Sequence, residues 1–458
     1  MAAELRLSRL LPCPPGPAWQ ALTSPDALAA WFWPESLGTT AEVDLRVGGR
    51  YRIAGRAAGL AVTGRYVVVE RPHQLAFTWR WETEEDETLV TVQLMPSGAG
   101  TELVLTHQRF ADEASRDDHA KGWSDCLDRL PGWLQADRAG AAGLADAGLA
   151  DEGLASWVAD MREPGGPSCR AAGPRRLRQA ARQRAGSRPK GPELPLVADL
   201  ATPGGLRLRL YRPAMQPRPL TLYLHGGGFV QGDLDTADST CRRLAQLAEA
   251  AVLAVDYRLA PEHPGPAAVD DAVSAFAWAL RRGPELGADP GSGIGLAGES
   301  AGGALALLAA AKLRGRGTPA SALLLACPNA DMTLSEASIE QEGSGWGLEA
   351  DDLRWFIEQW IPDSRRRADA GLSPVHAELA GLPPAVIATA GHDPLRDEGG
   401  TLAGRLSLAG VDVRHLHHPG LVHGFLGLGH LSPAADAAGR EAFERFGQLL
   451  RGAARPTA

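Results

Sequence analysis

Gly298-Glu299-Ser300-Ala301-Gly302 sets a serine in a G-x-S-x-G pentapeptide. The apolar run Ile294–Ala297 precedes it, and a small-residue stretch from Gly303 to Ala309 follows. A strand, a tight turn and a helix in that order raise a serine oxygen above the sheet end, and the helix N-terminus favours negative charge beside it. Glycines at 298, 302 and 303 leave room for so sharp a turn. The pentapeptide alone is moderately specific, since a glycine-rich turn can be purely structural. Its context makes Ser300 the candidate nucleophile of an acyl transfer.

His225-Gly226-Gly227-Gly228-Phe229 ends another apolar run, Leu220–Leu224, upstream of the elbow. Three glycines let backbone N–H groups approach and point at an oxyanion. An elbow serine requires an acid and then a histidine later in the chain. Asp393 lies just past the run Ala385–Ala390, and His423 lies past Val413–His417. Both are loop positions beyond strand ends, where open sheets gather their active sites. In that arrangement His423 takes the Ser300 proton and Asp393 holds the imidazole tautomer. His392, His415, His417 and His418 are rivals by type. His415 and His417 sit within a strand pattern and His392 adjoins the acid, so these are read as structural.

The elements that must carry these residues alternate from Leu206 onward. Apolar runs at 220–224, 251–255, 294–297, 322–326, 385–390 and 413–417 are separated by helical stretches such as Ala267–Arg282 and Gly302–Leu313. Strand and helix in alternation imply a largely parallel sheet covered on both faces. The first third is different. Asp44–Ile53 alternates about Gly48-Gly49, a hairpin signal, and strand-like runs follow at 60–70, 74–81, 88–95 and 101–107, with turns at Pro72-His73 and 96–100. Trp123, Cys126, Leu127, Leu130 and Leu134 then share one helix face. A sheet curled round one long helix is expected.

Residues 138–156 are rich in Ala and Gly and read as a linker between a first domain, 1–137, and a second, 157–458. Residues 162–190 hold nine Arg or Lys against the single acid Glu163. No aromatics interleave with them, so a solvated helix face is favoured over a nucleic-acid arm. The 458 residues, 44% of them hydrophobic and 22% charged, have ordinary globular composition with two or three domains' worth of chain. A net charge of −9 argues against nucleic acid or an anionic membrane as partner. Five dispersed cysteines form no C-x-x-C, which excludes the usual zinc and redox spacings and fits a reducing compartment. The expectation is a cytoplasmic protein with neither signal peptide nor membrane span, and with no metal and no cofactor.

Five motifs in order, HGGGF at 225–229, DYRLAPEHPGPAA at 256–268, GESAGG at 298–303, GLPPAVIATAGHDPLRDEG at 381–399 and HGF at 423–425, give residues 157–455 a resemblance to the hormone-sensitive lipase-like esterases of the α/β-hydrolase fold. The resemblance implies a carboxylic ester hydrolase with Ser300, Asp393 and His423 as triad and the N–H groups of Gly226, Gly227 and Ala301 as oxyanion hole. It also implies a helical cap, built from 157–190 and from Gly345–Trp360, and a small-molecule ester substrate contacted by Phe229, Trp346 and Trp355. Members usually carry Asp before the nucleophile; here Glu299 keeps the carboxylate. Residues 1–137 resemble the activator-of-heat-shock-protein-ATPase homologue-like branch of the START-like helix-grip superfamily. The carriers are AWQALTSPDALAAWFWP at 18–34, EVDLRVGGRYR at 42–52, LAFTWRW at 75–81 and HAKGWSDCLDRL at 119–130. That fold implies an apolar cavity, lined by Trp31, Phe32, Trp33, Phe77, Trp79, Trp81 and Trp123, for an apolar ligand. Two other readings stay open at this point: a ligand-binding or regulatory protein with little hydrolysis, and an amidase or lactonase on the same triad.

Overall fold

The computed structural model describes residues 4–13, 15–97, 100–146, 148–162 and 168–452, with backbone alone for 136–146. Gly98 and Ala99 of the expected 96–100 turn lie outside the described residues, as do Glu163 and the rest of 163–167 in the expected cap. The chain divides into two compact units, Met1–Ala141 and Ala142–Ala458.

In the first unit, strands β1 (Leu5–Leu11), β2 (Thr39–Val43), β3 (Arg50–Gly55), β4 (Leu60–Glu70), β5 (Gln74–Trp81), β6 (Thr88–Ser97) and β7 (Gly100–Gln108) form one antiparallel sheet in the order β1-β7-β6-β5-β4-β3-β2. Helices α1 (Pro15–Thr23) and α2 (Pro25–Trp31) bridge β1 and β2. Ser24 caps α2 by accepting the Ala27 N–H, with Pro25 at the first helical position. Helix α3 (Glu113–Asp146) buries Trp123, Cys126, Leu127, Leu130 and Leu134 in the same core as the sheet, which is the helix-grip arrangement.

Two expectations change here. The first hairpin strand ends at Val43, and Asp44–Gly49 is the turn, closed by Asp44 N–H to Arg50 O and Gly49 N–H to Arg46 O. A Cβ on Gly49 would lie 2.0 Å from Asp44 O, so the apolar Leu45 and Val47 ride on a loop that only glycine can close. The expected ligand-sized cavity is nearly filled. Trp79 meets Trp123 at 4.9 Å between ring centroids and Phe32 meets Trp123 at 5.8 Å. The void left among them is about 30 Å³, against roughly 300–1,000 Å³ for small-molecule sites.

The second unit begins with α4 (Glu152–Arg162) and α5 (Cys169–Ser187), the latter kinked at Gly173-Pro174. An eight-stranded sheet follows: β8 (Leu196–Ala201), β9 (Arg207–Arg212), β10 (Leu220–Leu224), β11 (Ala251–Val255), β12 (Ile294–Glu299), β13 (Leu323–Ala326), β14 (Ala385–His392) and β15 (Val413–Val422), in the order β15-β14-β13-β12-β10-β11-β9-β8. Strands β10 to β15 pair in parallel; β8 and β9 add an antiparallel edge absent from the sequence-based expectation. Five consecutive buried residues in both β10 and β11 mark strands covered on two faces.

The crossovers supply that cover. Helix α6 (Asp238–Ala248) links β10 to β11, while α7 (Ala267–Leu286) and α8 (Ala301–Gly315) run back across β12 to β13. Right-handed crossovers in opposite directions put α6 on one face and α7 with α8 on the other. Helix α9 (Ser338–Gln341), α10 (Ala350–Trp360) and α11 (Arg396–Leu408) precede α12 (Pro433–Gly452), which packs with α6. Helix α10 joins α5 in the cap: Cys169 N–H bonds Asp352 Oδ1 at 2.9 Å, and Cys169 and Leu177 pack on Trp355 and Phe356.

The end of the expected linker is part of this unit. Leu154, Ala155 and Val158 are buried, Ala150 N–H bonds Gly420 O, and the Asp151 carboxylate accepts from Ser432 Oγ and Ala434 N at the start of α12. Leucines at 149 and 154 among the small residues anchor the segment, whereas composition alone reads as a tether.

Candidate active site

Register brings the two glycine-rich loops together. Leu224 at the end of β10 pairs with Gly298 in β12, so the 225–229 loop emerges beside the elbow. A Cβ on Gly226 would lie 3.5 Å from Ser300 Cβ. The elbow itself is tight: a Cβ on Gly298 would meet Gly302 O at 2.2 Å, and one on Gly302 would meet Leu224 O at 2.0 Å. Ser300 has φ +57° and ψ −124°, a strained conformation for a residue with a side chain. It is held by Ser300 N–H to Ala326 O, and by Gly303 and Asn329 N–H groups on Ser300 O.

At the sheet's other half, β14 slips register between Ala390 and His392, and Asp393 follows at once. His423 follows β15 directly. The three side chains meet. His423 Nε2 is 3.0 Å from Ser300 Oγ, and His423 Nδ1 is 2.9 Å from Asp393 Oδ2. Asp393 is fully buried, and its Oδ1 accepts the Leu395 N–H at 2.8 Å. Burial lowers the His423 pKa, but the Asp393 charge and hydrogen bond, with Glu299 behind them, outweigh it and leave the pKa above the ordinary histidine value. Burial pushes Glu299 up. Its Oε1 has no partner among the described residues, although its carboxylate receives the Leu426 N–H.

The residues whose N–H groups are expected to meet an oxyanion lie on the two loops that register brings side by side. Ala301 is the first residue of α8, where helix geometry leaves the N–H without an intrahelical acceptor. Gly226 and Gly227 N–H groups donate to no protein acceptor among the described residues, while Gly227 O takes the Val230 and Gln231 N–H groups and closes the loop. His225 braces it from beneath: it stacks on Tyr257 at 4.2 Å, Tyr257 Oη donates to His225 O at 2.7 Å, and burial lowers the imidazole pKa to about 4.

The rival histidines lie elsewhere. His415 and His417 share Thr389 Oγ1 as partner within β14 and β15, and His392 stacks on Trp346 while facing Glu342. The three expected substrate contacts each pack against other side chains. Phe229 is completely buried and stacked on Trp360 at 4.5 Å. Trp355 is buried in the cap seam with Phe356, and Trp346 is covered by His392 and by the Arg162 guanidinium at 4.6 Å.

The family described as "alpha/beta hydrolase fold" matches residues 221–427, and that described as "Activator of Hsp90 ATPase homolog 1-like protein" matches 12–135. The carboxylic ester hydrolase LipN of Mycobacterium tuberculosis is 45% identical over 266 residues, covering 55% of this chain and 70% of LipN. Esterase LipI of the same organism is 40% identical over 286 residues, covering 60% of this chain and 89% of LipI. The chain belongs to the hormone-sensitive lipase-like carboxylesterases of the α/β-hydrolase fold. Among solved structures, the thermostable carboxylesterase EstE1 from a metagenomic library is similar at TM-score 0.58 and 36% identity, over 62% of this esterase and 99% of EstE1. No helix among the described residues of the esterase is long and apolar enough to cross a membrane.

Sequence reasoning passed over Cys327. It follows β13 with φ +41°, donates its N–H to Ala388 O at 2.7 Å, and its thiol hydrogen-bonds Asp393 and receives the Gly424 N–H. Burial, with the Asp393 and Glu299 charges, pushes that thiol pKa far up, so it acts as a neutral donor. Cys327, Asp393 and His423 are the one cluster of metal-ligating type found among the described residues, and they are already bonded to one another. A cysteine following an apolar run gave no sign of this contact.

Proposed function

We propose that the carboxylesterase reaction runs through Ser300, His423 and Asp393. Neutral His423 accepts the Ser300 hydroxyl proton at Nε2 while its Nδ1–H donates to Asp393. Ser300 Oγ attacks the ester carbonyl, and the tetrahedral oxyanion is met by the N–H groups of Gly226, Gly227 and Ala301. The imidazolium returns its proton to the departing alcohol, leaving an acyl-serine. Water, deprotonated by His423, then releases the acid. The observation that carries this reading is the continuous line of contacts, 3.0 Å from Oγ to Nε2 and 2.9 Å from Nδ1 to Asp393. Replacing Ser300 by Ala should leave a folded protein whose kcat on p-nitrophenyl butyrate falls by about 10⁴–10⁶. Mass spectrometry should place a fluorophosphonate adduct on Ser300 in the unmodified chain. More than a tenth of the original turnover in the variant would refute the assignment.

For the first unit we propose ligand binding at its surface. A groove of about 430 Å³ runs past Trp33, Trp79, Trp81, His119 and Trp123, where Trp33 and Trp81 stack at 6.1 Å. Half-buried parallel indoles at the wall of a groove suit a flat apolar molecule. Quenching of tryptophan fluorescence by a planar apolar probe, lost on Trp33→Ala, is the expected result; equal quenching in the variant would refute it.

A further inference from the structure

The arginines of α5 and of its C-cap, Arg188, are not all paired. Arg170, Arg178 and Arg182 each reach a carboxylate, on Glu358, Glu262 and Asp233 at 2.7, 2.7 and 2.5 Å. Arg184 and Arg188, one helical turn apart, meet no carboxylate at ion-pair distance among the described residues. Burial lowers both guanidinium pKa values; for Arg188 the Arg184 charge lowers it further and the Glu299 charge raises it. A partly desolvated cation beside a like charge is costly unless an anion joins it.

Arg188 stands at the active-site end of this helix. Its Nη1 lies 3.2 Å from where a Cβ on Gly427 would sit, in the turn that follows His423. Its charge acts on Glu299, the residue before Ser300. Glu299 attracts Arg188 without binding it: the two charges favour each other, but no hydrogen bond or ion pair at contact distance joins them among the described residues. Beyond Arg188 opens a groove of about 660 Å³, lined in part by Arg182, Lys190, Gly427 and His430. The acids of that groove are already engaged. Arg209 holds Asp199 at 2.5 Å and Asp235 at 2.9 Å, and Arg242 holds Asp238 at 2.7 Å. Lys190, like Arg188, has no carboxylate partner among the described residues. The groove therefore keeps two cations without a carboxylate partner among the described residues, one of them, Arg188, beside the turn that follows His423.

We propose that Arg188 and Lys190 form an anion-accepting subsite, and that the esterase favours esters carrying a second, ionised carboxylate, the half-esters of dicarboxylic acids. The inference rests on Ser300 as nucleophile: the free carboxylate lies in the groove while the ester carbonyl reaches Ser300. The test compares monoethyl adipate with diethyl adipate on the full chain, with p-nitrophenyl butyrate as neutral reference. The kcat/KM ratio of half-ester to diester should exceed one. It should fall about tenfold in the Arg188→Gln, Lys190→Gln double variant, mainly through KM, as for the loss of a charged hydrogen bond. High salt should lower the ratio in the unmodified protein, a readout independent of how the variant folds. A ratio below one, or one indifferent to both salt and substitution, overturns the subsite. Hydrolysis of the butyrate without half-ester preference overturns the subsite alone. Failure of the folded chain to hydrolyse the butyrate overturns the Ser300 reading and the subsite with it.

Discussion

Asparagine at 393 separates the acid of the triad from its acidic neighbours. Asp393 is fully buried, and each carboxylate oxygen has work: Oδ2 faces His423 Nδ1 at 2.9 Å, and Oδ1 accepts the Leu395 N–H at 2.8 Å. With Oδ1 still engaged by Leu395, an asparagine amide turns its NH₂ toward Nδ1. A donor there forces the proton onto Nε2, the atom that must accept from Ser300. The imidazole then begins in the wrong tautomer, and no carboxylate remains to stabilise the imidazolium. The expected loss in kcat is about 10⁴, or roughly 5.5 kcal/mol of transition-state stabilisation. Asp397 has a different job: it binds the Ser338 N–H at 3.0 Å and the Arg396 guanidinium at 2.7 Å. Asp397→Asn should therefore cost less than about tenfold, as for an exposed or half-exposed polar contact. Steady-state kinetics on p-nitrophenyl butyrate, with circular dichroism to confirm folding, decide the matter. A larger loss from Asp397→Asn than from Asp393→Asn would refute the reasoning.

Three further outcomes are expected. His423 must be neutral to act, and its pKa is raised, so the acid limb of kcat/KM should have its midpoint above the ordinary histidine value; Glu299→Gln removes one of the charges that raise it and should move that limb to lower pH. Gly302→Ala drives a Cβ against Leu224 O and His225 O and should cost about 1–3 kcal/mol in denaturant titration along with most activity, whereas Gly315→Ala, with open space around it, should stabilise by about 0.5–1 kcal/mol. A chain beginning at Ala142 should retain the full chain's kcat on the butyrate, while one beginning at Trp157 loses buried Leu154 and the Asp151 bonds to α12 and should melt measurably lower, Leu154 alone accounting for about 1.5–3 kcal/mol.

Strands were legible where burial on two faces, or strict alternation, writes itself into residue types. Leu220–Leu224, Ala251–Val255, Leu60–Glu70 and Gln74–Trp81 were bounded by turn residues and start and stop where the sequence indicates. The edge strands β8 and β9 were not recognised, although Arg207-Leu-Arg-Leu-Tyr-Arg212 does alternate. The elbow, the glycine loop, Asp393 and His423 were legible for a stronger reason, because each carries a backbone constraint as well as a side chain. Aromatic type carries no such constraint. Phe229 and Trp355 look like substrate contacts in one dimension and are packed against Trp360 and Phe356 in three.

Charge is the least local property of all. The basic run at 162–190 reads as one solvated face, and several of its members are just that. Arg178 and Arg182 owe their meaning to Glu262 and Asp233, 84 and 51 residues away. Arg188 differs from them in no feature of type or spacing. It differs because the fold gives it no carboxylate at ion-pair distance among the described residues and sets it beside Gly427, within the field of Glu299. The uncommitted cation is thus defined by pairings made elsewhere on the helix. On a segment where Arg170, Arg178 and Arg182 meet protein acids, Arg188, left without one beside the turn after His423, is where an incoming anion would complete the pairing.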